Sequence, residues 1–141
     1  MLIKQLSVFL EDRSGRLTEL TRILAENDVN IIALSVAETA DYGIVRMVTG
    51  RPELAKEALE KAGFSIGLTG VACVNMPDKP GSLYQILKIL TDNNINIDYM
   101  YAFSNNDVAL AVIRAADIQR VIEVLQENSM KLLSQSELYQ L

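Results

Sequence analysis

Apolar residues recur along the chain in two alternating patterns, one typical of strands and the other of helices. Over residues 3–10, Leu6, Val8 and Leu10 share one parity, which predicts a strand with one buried face. Apolar residues three and four positions apart then predict an amphipathic helix that ends near Asn27, where a left-handed helix stop is expected. The inward stripe of this helix comprises Leu17, Leu20, Ile23 and Leu24.

The pattern continues with two strands, a second helix and a further strand. Strands joined by a turn are predicted over residues 29–38 and 43–49. Pro52 opens the second helix at a position where its missing N–H costs nothing, and Gly63 closes it. A last strand over residues 64–68 completes the order βαββαβ. The inward face of the second helix is predicted to comprise Leu54, Ala58, Leu59 and Ala62.

The second half of the chain repeats the first at an offset of 66 residues. Between residues 12–31 and residues 78–97 the register holds without a gap, and eight of the 20 positions are identical. A repeat of this length predicts duplication of a whole domain. The second copy accordingly has strands at 71–76, 95–103, 108–114 and 130–134, and helices at 82–93 and 117–127. The identical pairs are Asp12/Asp78, Gly15/Gly81, Leu17/Leu83, Ile23/Ile89, Leu24/Leu90, Asn27/Asn93, Asn30/Asn96 and Ile31/Ile97.

Each copy is predicted to form an α+β, ferredoxin-like module, an antiparallel sheet with two helices on one face. The predicted modules are residues 1–68 and 69–141, and no Pro- or Ser-rich linker separates them. We therefore expect them to pack side by side. Both parities of residues 29–37 are apolar or small, which indicates that the sister copy or a second chain covers the open sheet face. The tail, residues 135–141, is predicted to extend a strand or to fray.

Composition and charge narrow the possible functions. The net charge is −5, with 18 acidic and 13 basic residues, which argues against nucleic acid as the partner. The chain has no histidine, so the commonest general base and metal ligand is missing. Cys73 is the single cysteine, and a cytoplasmic location is expected. No apolar run is long enough for a membrane span and no signal peptide precedes the first strand. Neither catalysis nor a metal or cofactor is predicted.

Both copies carry an Asp-basic-x-Gly-x-Leu turn before the first helix and an apolar-Asn-Ile segment at the start of the second strand. The turns are residues 12–17 and 78–83, and the strand segments are residues 29–31 and 95–97. Free N–H groups at the start of a helix can bind a carboxylate, and glycine allows a ligand to approach closely. The side chains of aspartate and asparagine, or the carbonyl groups of a strand, could accept hydrogen bonds from an ammonium group. A ligand that carries both a carboxylate and an ammonium group could therefore bind at such a loop.

The two repeated motifs resemble the ACT domain, and the turn Asp78-Lys79-Pro80-Gly81-Ser82-Leu83 resembles the family pattern more closely than its first-copy counterpart. The resemblance covers residues 3–134. It implies a free-standing, non-catalytic regulatory protein that binds an amino acid between two ACT modules, acts allosterically on a metabolic enzyme and forms a homodimer. The ligand-binding residues that it implies are Asp12, Arg13, Ser14, Gly15, Arg16 and Leu17 with Asn96 and Ile97, and Asp78, Lys79, Pro80, Gly81, Ser82 and Leu83 with Asn30 and Ile31.

Several alternatives stay open at this level. The protein could be a regulatory or structural subunit without a ligand, which dimerises and docks on a metabolic enzyme. Alternatively, Asp12 and Asp78 serve only as capping residues of the turns before the first helices. Asn30 and Asn96 then serve only to close the turns after those helices. The alternating aromatic residues of the second copy favour sheet packing over a ligand wall, and their smaller counterparts in the first copy predict unequal sites. These pairs are Tyr99/Ala33, Tyr101/Ser35 and Phe103/Ala37.

Overall fold

The computed structural model describes residues 1–11, 15–38 and 42–141. They form two compact units. The first unit comprises Lys4–Thr69 with Leu138–Leu141, and the second comprises Met1–Ile3 with Gly70–Glu137. No helix in the described part of the chain is long and apolar enough to cross a membrane.

The first unit has the predicted βαββαβ order. Its sheet has the order β2-β3-β1-β4, and β3 pairs antiparallel with both β1 and β2. Both helices pack on one face of this sheet, because residues of α1 and α2 share a single core with alternate residues of β1 and β3. The elements are β1 (Ile3–Glu11), α1 (Arg16–Glu26), β2 (Ile31–Glu38), β3 (Tyr42–Thr49), α2 (Pro52–Lys61) and the first part of β4 (Ser65–Pro77). The core includes Leu6, Val8, Leu20, Leu24, Val45, Met47, Ala55 and Leu59.

The second unit repeats this arrangement with the sheet order β7-β4-β6-β5. The pairs β4–β6, β4–β7 and β5–β6 are antiparallel. Its elements are the second part of β4, α3 (Ser82–Asp92), β5 (Tyr99–Asn105), β6 (Val108–Arg114), α4 (Ile118–Glu127) and β7 (Lys131–Leu132), followed by the short helix α5 (Gln135–Tyr139). The core includes Ala72, Val74, Ile86, Leu90, Ala111, Ile113, Val121 and Leu125. Two ferredoxin-like α+β modules are thus confirmed.

The chain passes from the first unit to the second inside one strand. Residues 64–68 and 71–76 were predicted as two strands, but β4 runs without interruption from Ser65 to Pro77. Gly67 and Gly70 do not interrupt it, because glycine adopts extended backbone as readily as turns.

Three predicted helix faces are wrong at one position or more. Leu54 is 37% exposed and Ala62 is exposed, whereas Ala55 is fully buried, because the inward face of α2 runs through Pro52, Ala55 and Leu59. Leu17 and Leu83 are likewise 37% exposed, although the apolar spacings Leu17-Leu20-Leu24 and Leu83-Ile86-Leu90 predict an inward face for both. Each lies in the first turn of its helix, where the buried positions are Arg16 and Ser82 instead.

The predicted left-handed residue of the first helix is displaced by one position. Asn27 has a φ of −99°, and Asp28 has the positive φ of 56°. The side-chain Nδ2 of Asn27 donates to the carbonyl of Ile23 at 2.8 Å, so the asparagine covers one of the last free carbonyls of the helix. Its role is therefore capping and not backbone reversal.

The tail is a helix and neither a strand nor a frayed end. The Oγ of Ser134 accepts from the backbone N–H of Glu137 at 3.2 Å, and the Oε1 of Glu137 accepts from the N–H of Ser134 at 3.3 Å. This reciprocal capping box starts α5, and Leu138 on it is fully buried. The sequence Ser-Gln-Ser-Glu at residues 134–137 carries the signal.

Candidate ligand-binding site

The loop between β4 and α3 in the second unit has a defined backbone. Gly81 has a φ of 92° and precedes the first residue of α3, a conformation that favours glycine because other residues clash there. The N–H of Asp78 donates to the carbonyl of Asp107 at 3.3 Å, and the N–H of Lys79 donates to that of Pro77 at 2.9 Å. Among the described residues no side chain caps the first turn of α3, which leaves the positive end of the helix dipole open.

A pocket of about 260 Å³ opens beside this loop, and all of its lining residues belong to the second unit. It combines an anionic and a cationic side chain, Asp78 and Lys79, with an apolar wall. The Oδ2 of Asp78 accepts from the Oγ of Ser104 at 3.2 Å, which orients the carboxylate at one side of the pocket. The lining residues are Met76, Pro77, Asp78, Lys79, Ser82, Leu83, Ala102, Phe103, Ser104 and Ala109.

Four of the six predicted residues of this loop line the pocket, and Pro80 and Gly81 do not. The strand residues of the wall were not predicted as ligand-binding. Phe103 was assigned to sheet packing, and residues 102–104 lie 19 or more positions after Leu83, the last residue of the loop motif. The sheet brings them there because β6 pairs with both neighbours, with Ala109 opposite Met76 on one side and Ser104 on the other.

The segments at the start of the second strands lie elsewhere in their own units. Asn96 lines a separate pocket of about 400 Å³ together with Asp98, Asp117 and Arg120 among others. Ile97 packs against the core of the second unit, and Ile31 packs against that of the first. The carbonyl of Asn30 accepts from the N–H of Gly50 at 3.1 Å. In the second unit, Asn96 and the described residues of the turn therefore line two different pockets.

The first copy of the loop is described only from Gly15 onward. Asp12, Arg13 and Ser14, which were predicted to bind ligand, lie outside the described residues. Gly15 repeats the left-handed conformation, with a φ of 89°. Arg16 is only 7% exposed, and its Nη1 donates to the Oε2 of Glu19 at 3.0 Å.

Two observations bear on catalysis and metal binding. Burial raises the pKa of the Cys73 thiol to about 12, so this cysteine is a neutral, enclosed group and a poor nucleophile near neutral pH. Among residues 1–11, 15–38 and 42–141, no cluster of three acidic or cysteine side chains could hold a metal ion.

Comparison with known proteins gives the family and the fold. The family model described as "ACT domain pair" matches residues 1–141. The crystal structure of protein BT0572 from Bacteroides thetaiotaomicron is similar over 100% of this chain and 98% of that chain, with 45% identity and a TM-score of 0.96. No curated protein sequence gives a match.

Regulatory subunits of aspartate kinase share the fold at low identity. The ligand-free subunit from Thermus thermophilus is 16% identical, with a TM-score of 0.67 over 89% of this chain and 93% of that chain. The subunit from Thermus flavus is also 16% identical, with a TM-score of 0.61 over 90% of this chain and 93% of that chain. At this identity the likeness shows the common fold.

Proposed function

Because the chain belongs to the ACT domain pair family, we propose that it is a non-catalytic regulatory protein that binds a free amino acid and signals allosterically to a partner enzyme. The observation that supports this most directly is the pocket beside α3. Its volume of about 260 Å³ suits a small metabolite, and Asp78 and Lys79 supply the two charges that a zwitterion needs.

The ligand carboxylate binds at the first turn of α3 and near Lys79. Uncapped N–H groups, the helix dipole and an ammonium group all favour an anion there. The ligand ammonium binds Asp78, whose carboxylate Ser104 already orients. The side chain then lies along Met76, Phe103 and Ala109, so small or apolar amino acids fit this wall best.

The proposal keeps the sequence-based site residues in full. It includes the first loop, residues 12–17, as the counterpart of the second. Participation of the strand segments, with Asn30, Ile31, Asn96 and Ile97, stays a hypothesis from the sequence. Variants at Asn30 and Asn96 test this hypothesis separately from the loop residues.

The partner is proposed as a metabolic enzyme. Two proteins of the same fold are regulatory subunits of aspartate kinase, which supports an enzyme as the target without identifying it. A second candidate function, a ligand-independent subunit that dimerises, has one observation in its favour. Leu34 and Val36 are 43% and 48% exposed on β2, at the edge of the first unit's sheet.

Thermal unfolding in the presence of each of the 20 amino acids tests the main proposal. A ligand at a hundredfold excess over its dissociation constant stabilises the native state by about 2.7 kcal/mol and raises the midpoint accordingly. Lys79→Met and Asp78→Asn should each reduce that shift. Lys88→Met is the matched control, since Lys88 lies on α3, the helix that this loop precedes, and is exposed and paired with Asp92.

The outcomes separate the two candidates. If no amino acid shifts the midpoint, or if Lys79→Met and Lys88→Met behave alike, the amino-acid proposal fails. A dimer in sedimentation experiments that Leu34→Glu dissociates would then support the ligand-independent subunit.

A further inference from the structure

Arg16 is an unusually enclosed cation. The residue is 7% exposed, and its Cζ lies 4.0 Å from the centroid of the Phe64 ring. One nitrogen, Nη1, donates to Glu19, while the buried Nε has no hydrogen-bond partner among the described residues. A guanidinium has five N–H donors, and burying an incompletely paired charge costs free energy. The arrangement therefore indicates a role beyond packing.

A second pocket of about 260 Å³ borders this guanidinium, and it lies entirely within the first unit. Its other walls come from the end of β1, the start of β3 and the connection between α2 and β4. The rings of Phe9 and Tyr42 are 5.8 Å apart and about half exposed, at 49% and 42%. The lining residues are Phe9, Leu10, Glu11, Arg16, Tyr42, Gly63 and Ser65.

The second unit shows that the fold does not need this cation. Arg16 aligns with Ser82 at the offset of 66, and Ser82 starts α3 after the same left-handed glycine. Phe9, Glu11 and Tyr42 align with Asn75, Pro77 and Val108. One copy thus builds the same turn without the arginine, the aromatic pair or the acid, so these side chains together serve something other than the turn.

Extending the proposed function, which already includes Arg16 as part of the first loop, we propose that this pocket is a second ligand site, which binds a small organic carboxylate with an apolar body. The carboxylate pairs with the guanidinium of Arg16, a geometry that arginine favours because two parallel N–H groups can donate at once. The apolar body lies against Phe9 and Tyr42. Glu11 is the acceptor for an ammonium group, if the ligand carries one. This site shares no residue with the pocket beside α3 and does not depend on it.

Amide NMR titrations test the site and distinguish it from the one in the second unit. The probes are L-leucine, its 2-oxo acid 4-methyl-2-oxopentanoate, and inorganic phosphate. We expect at least one of the two organic carboxylates to shift the amide signals of Gly63 and Ser65 in a saturable way. Signals of Ser104 and Ala109 report the other pocket, so failure of one site is visible independently of the other.

Arg16→Met should weaken the response at Gly63 and Ser65 about tenfold or more, because it removes the charge-assisted hydrogen bonds. Arg22→Met is the matched control, since Arg22 lies on the same helix, is exposed and pairs with Glu26, and it should leave the response unchanged. If the ligand is an amino acid, Glu11→Gln should weaken the binding of L-leucine and leave the binding of the 2-oxo acid unchanged. If the 2-oxo acid binds as tightly as L-leucine and Glu11→Gln changes neither affinity, the ligand is a carboxylate without an ammonium group.

Three results would overturn the proposal. They are no saturable shift at Gly63 and Ser65 with either carboxylate, an equal response in Arg16→Met, and a response to phosphate alone. If Arg16→Met does not fold, the double substitution Phe9→Asn and Tyr42→Val tests the same pocket with residues that the second unit tolerates at those positions. An unchanged response in that folded variant would also contradict the site.

Discussion

Gly15 in the first unit and Gly81 in the second have almost the same left-handed backbone, with φ of 89° and 92°. The residue that follows is buried to the same degree in both, at 7% exposure, yet it is Arg16 in one and Ser82 in the other. The guanidinium of Arg16 stacks on Phe64, and the residue aligned with Phe64 is Met130. The backbone of the turn was kept, while both side chains that meet beneath it changed.

The helix ends show the same separation of backbone from side chain. Asp28 and Asn94 have φ of 56° and 57°, and Gly63 and Ser129 have φ of 93° and 61°. All four positions follow a helix, where a left-handed residue reverses the chain. Four residue types, three of them not glycine, adopt the conformation because the helix and the strand on either side hold it in place. The fold thus fixes the backbone conformation at these positions, while the side chains there differ between the two units.

Matched core truncations should give the largest effect. Leu59 and Leu125 are aligned and fully buried, so Leu59→Ala and Leu125→Ala should each lower the free energy of unfolding by about 3 kcal/mol, measured by urea denaturation. Leu54→Ala is the control on α2. Since Leu54 is 37% exposed, its loss should stay below about 1 kcal/mol. A Leu54→Ala loss equal to that of Leu59→Ala would contradict the observed helix face.

Valine at the two turn glycines should have the next largest effect. Gly15→Val and Gly81→Val should each cost about 2 kcal/mol, because a β-branched residue is strained at these φ values. A clash is not the cause, since a Cβ at either position meets no atom of the described residues within 4 Å beyond its chain neighbours. Unequal costs would mean that the two turns are not equivalent. Gly67 in β4 has similar free space around its Cβ position but no positive φ. Gly67→Val should therefore change the free energy of unfolding little.

Alkaline pH should distinguish the units by a smaller amount. Cys73 is buried in the second unit, and its aligned residue in the first is Ser7. The thiol pKa is about 12 in the native state against 9.0 for the exposed group, so the unfolded chain loses the proton first as pH rises. Stability is thus full below pH 9 and falls above it, by about 1.4 kcal/mol for each pH unit. Urea denaturation at pH 9 and pH 10 should show a steeper loss in the natural chain than in Cys73→Ala; parallel losses would contradict the assignment.

The duplication, the βαββαβ order within each module and the fold class follow from the amino-acid sequence alone. Periodicity of 2 and 3.6 residues and the 66-residue offset are local or repeated properties, so they can be read along the chain. Local patterns failed where a helix begins. Leu17 and Leu83 continue an apolar period, but at the first turn the burial depends on how the loop enters the helix, and the structure buries Arg16 and Ser82 instead.

The residues that surround each candidate site depend on how distant segments pack together. The motif gave Asp78, Lys79, Ser82 and Leu83, while the sheet register alone brought Phe103 and Ser104 to them across two strands. The Arg16 pocket likewise joins the end of β1, the start of β3 and the residues after α2, three segments far apart in sequence. Apolar periodicity follows from the regular geometry of a helix or strand. A pocket is formed by packing between distant segments, which leaves no periodic pattern in the sequence.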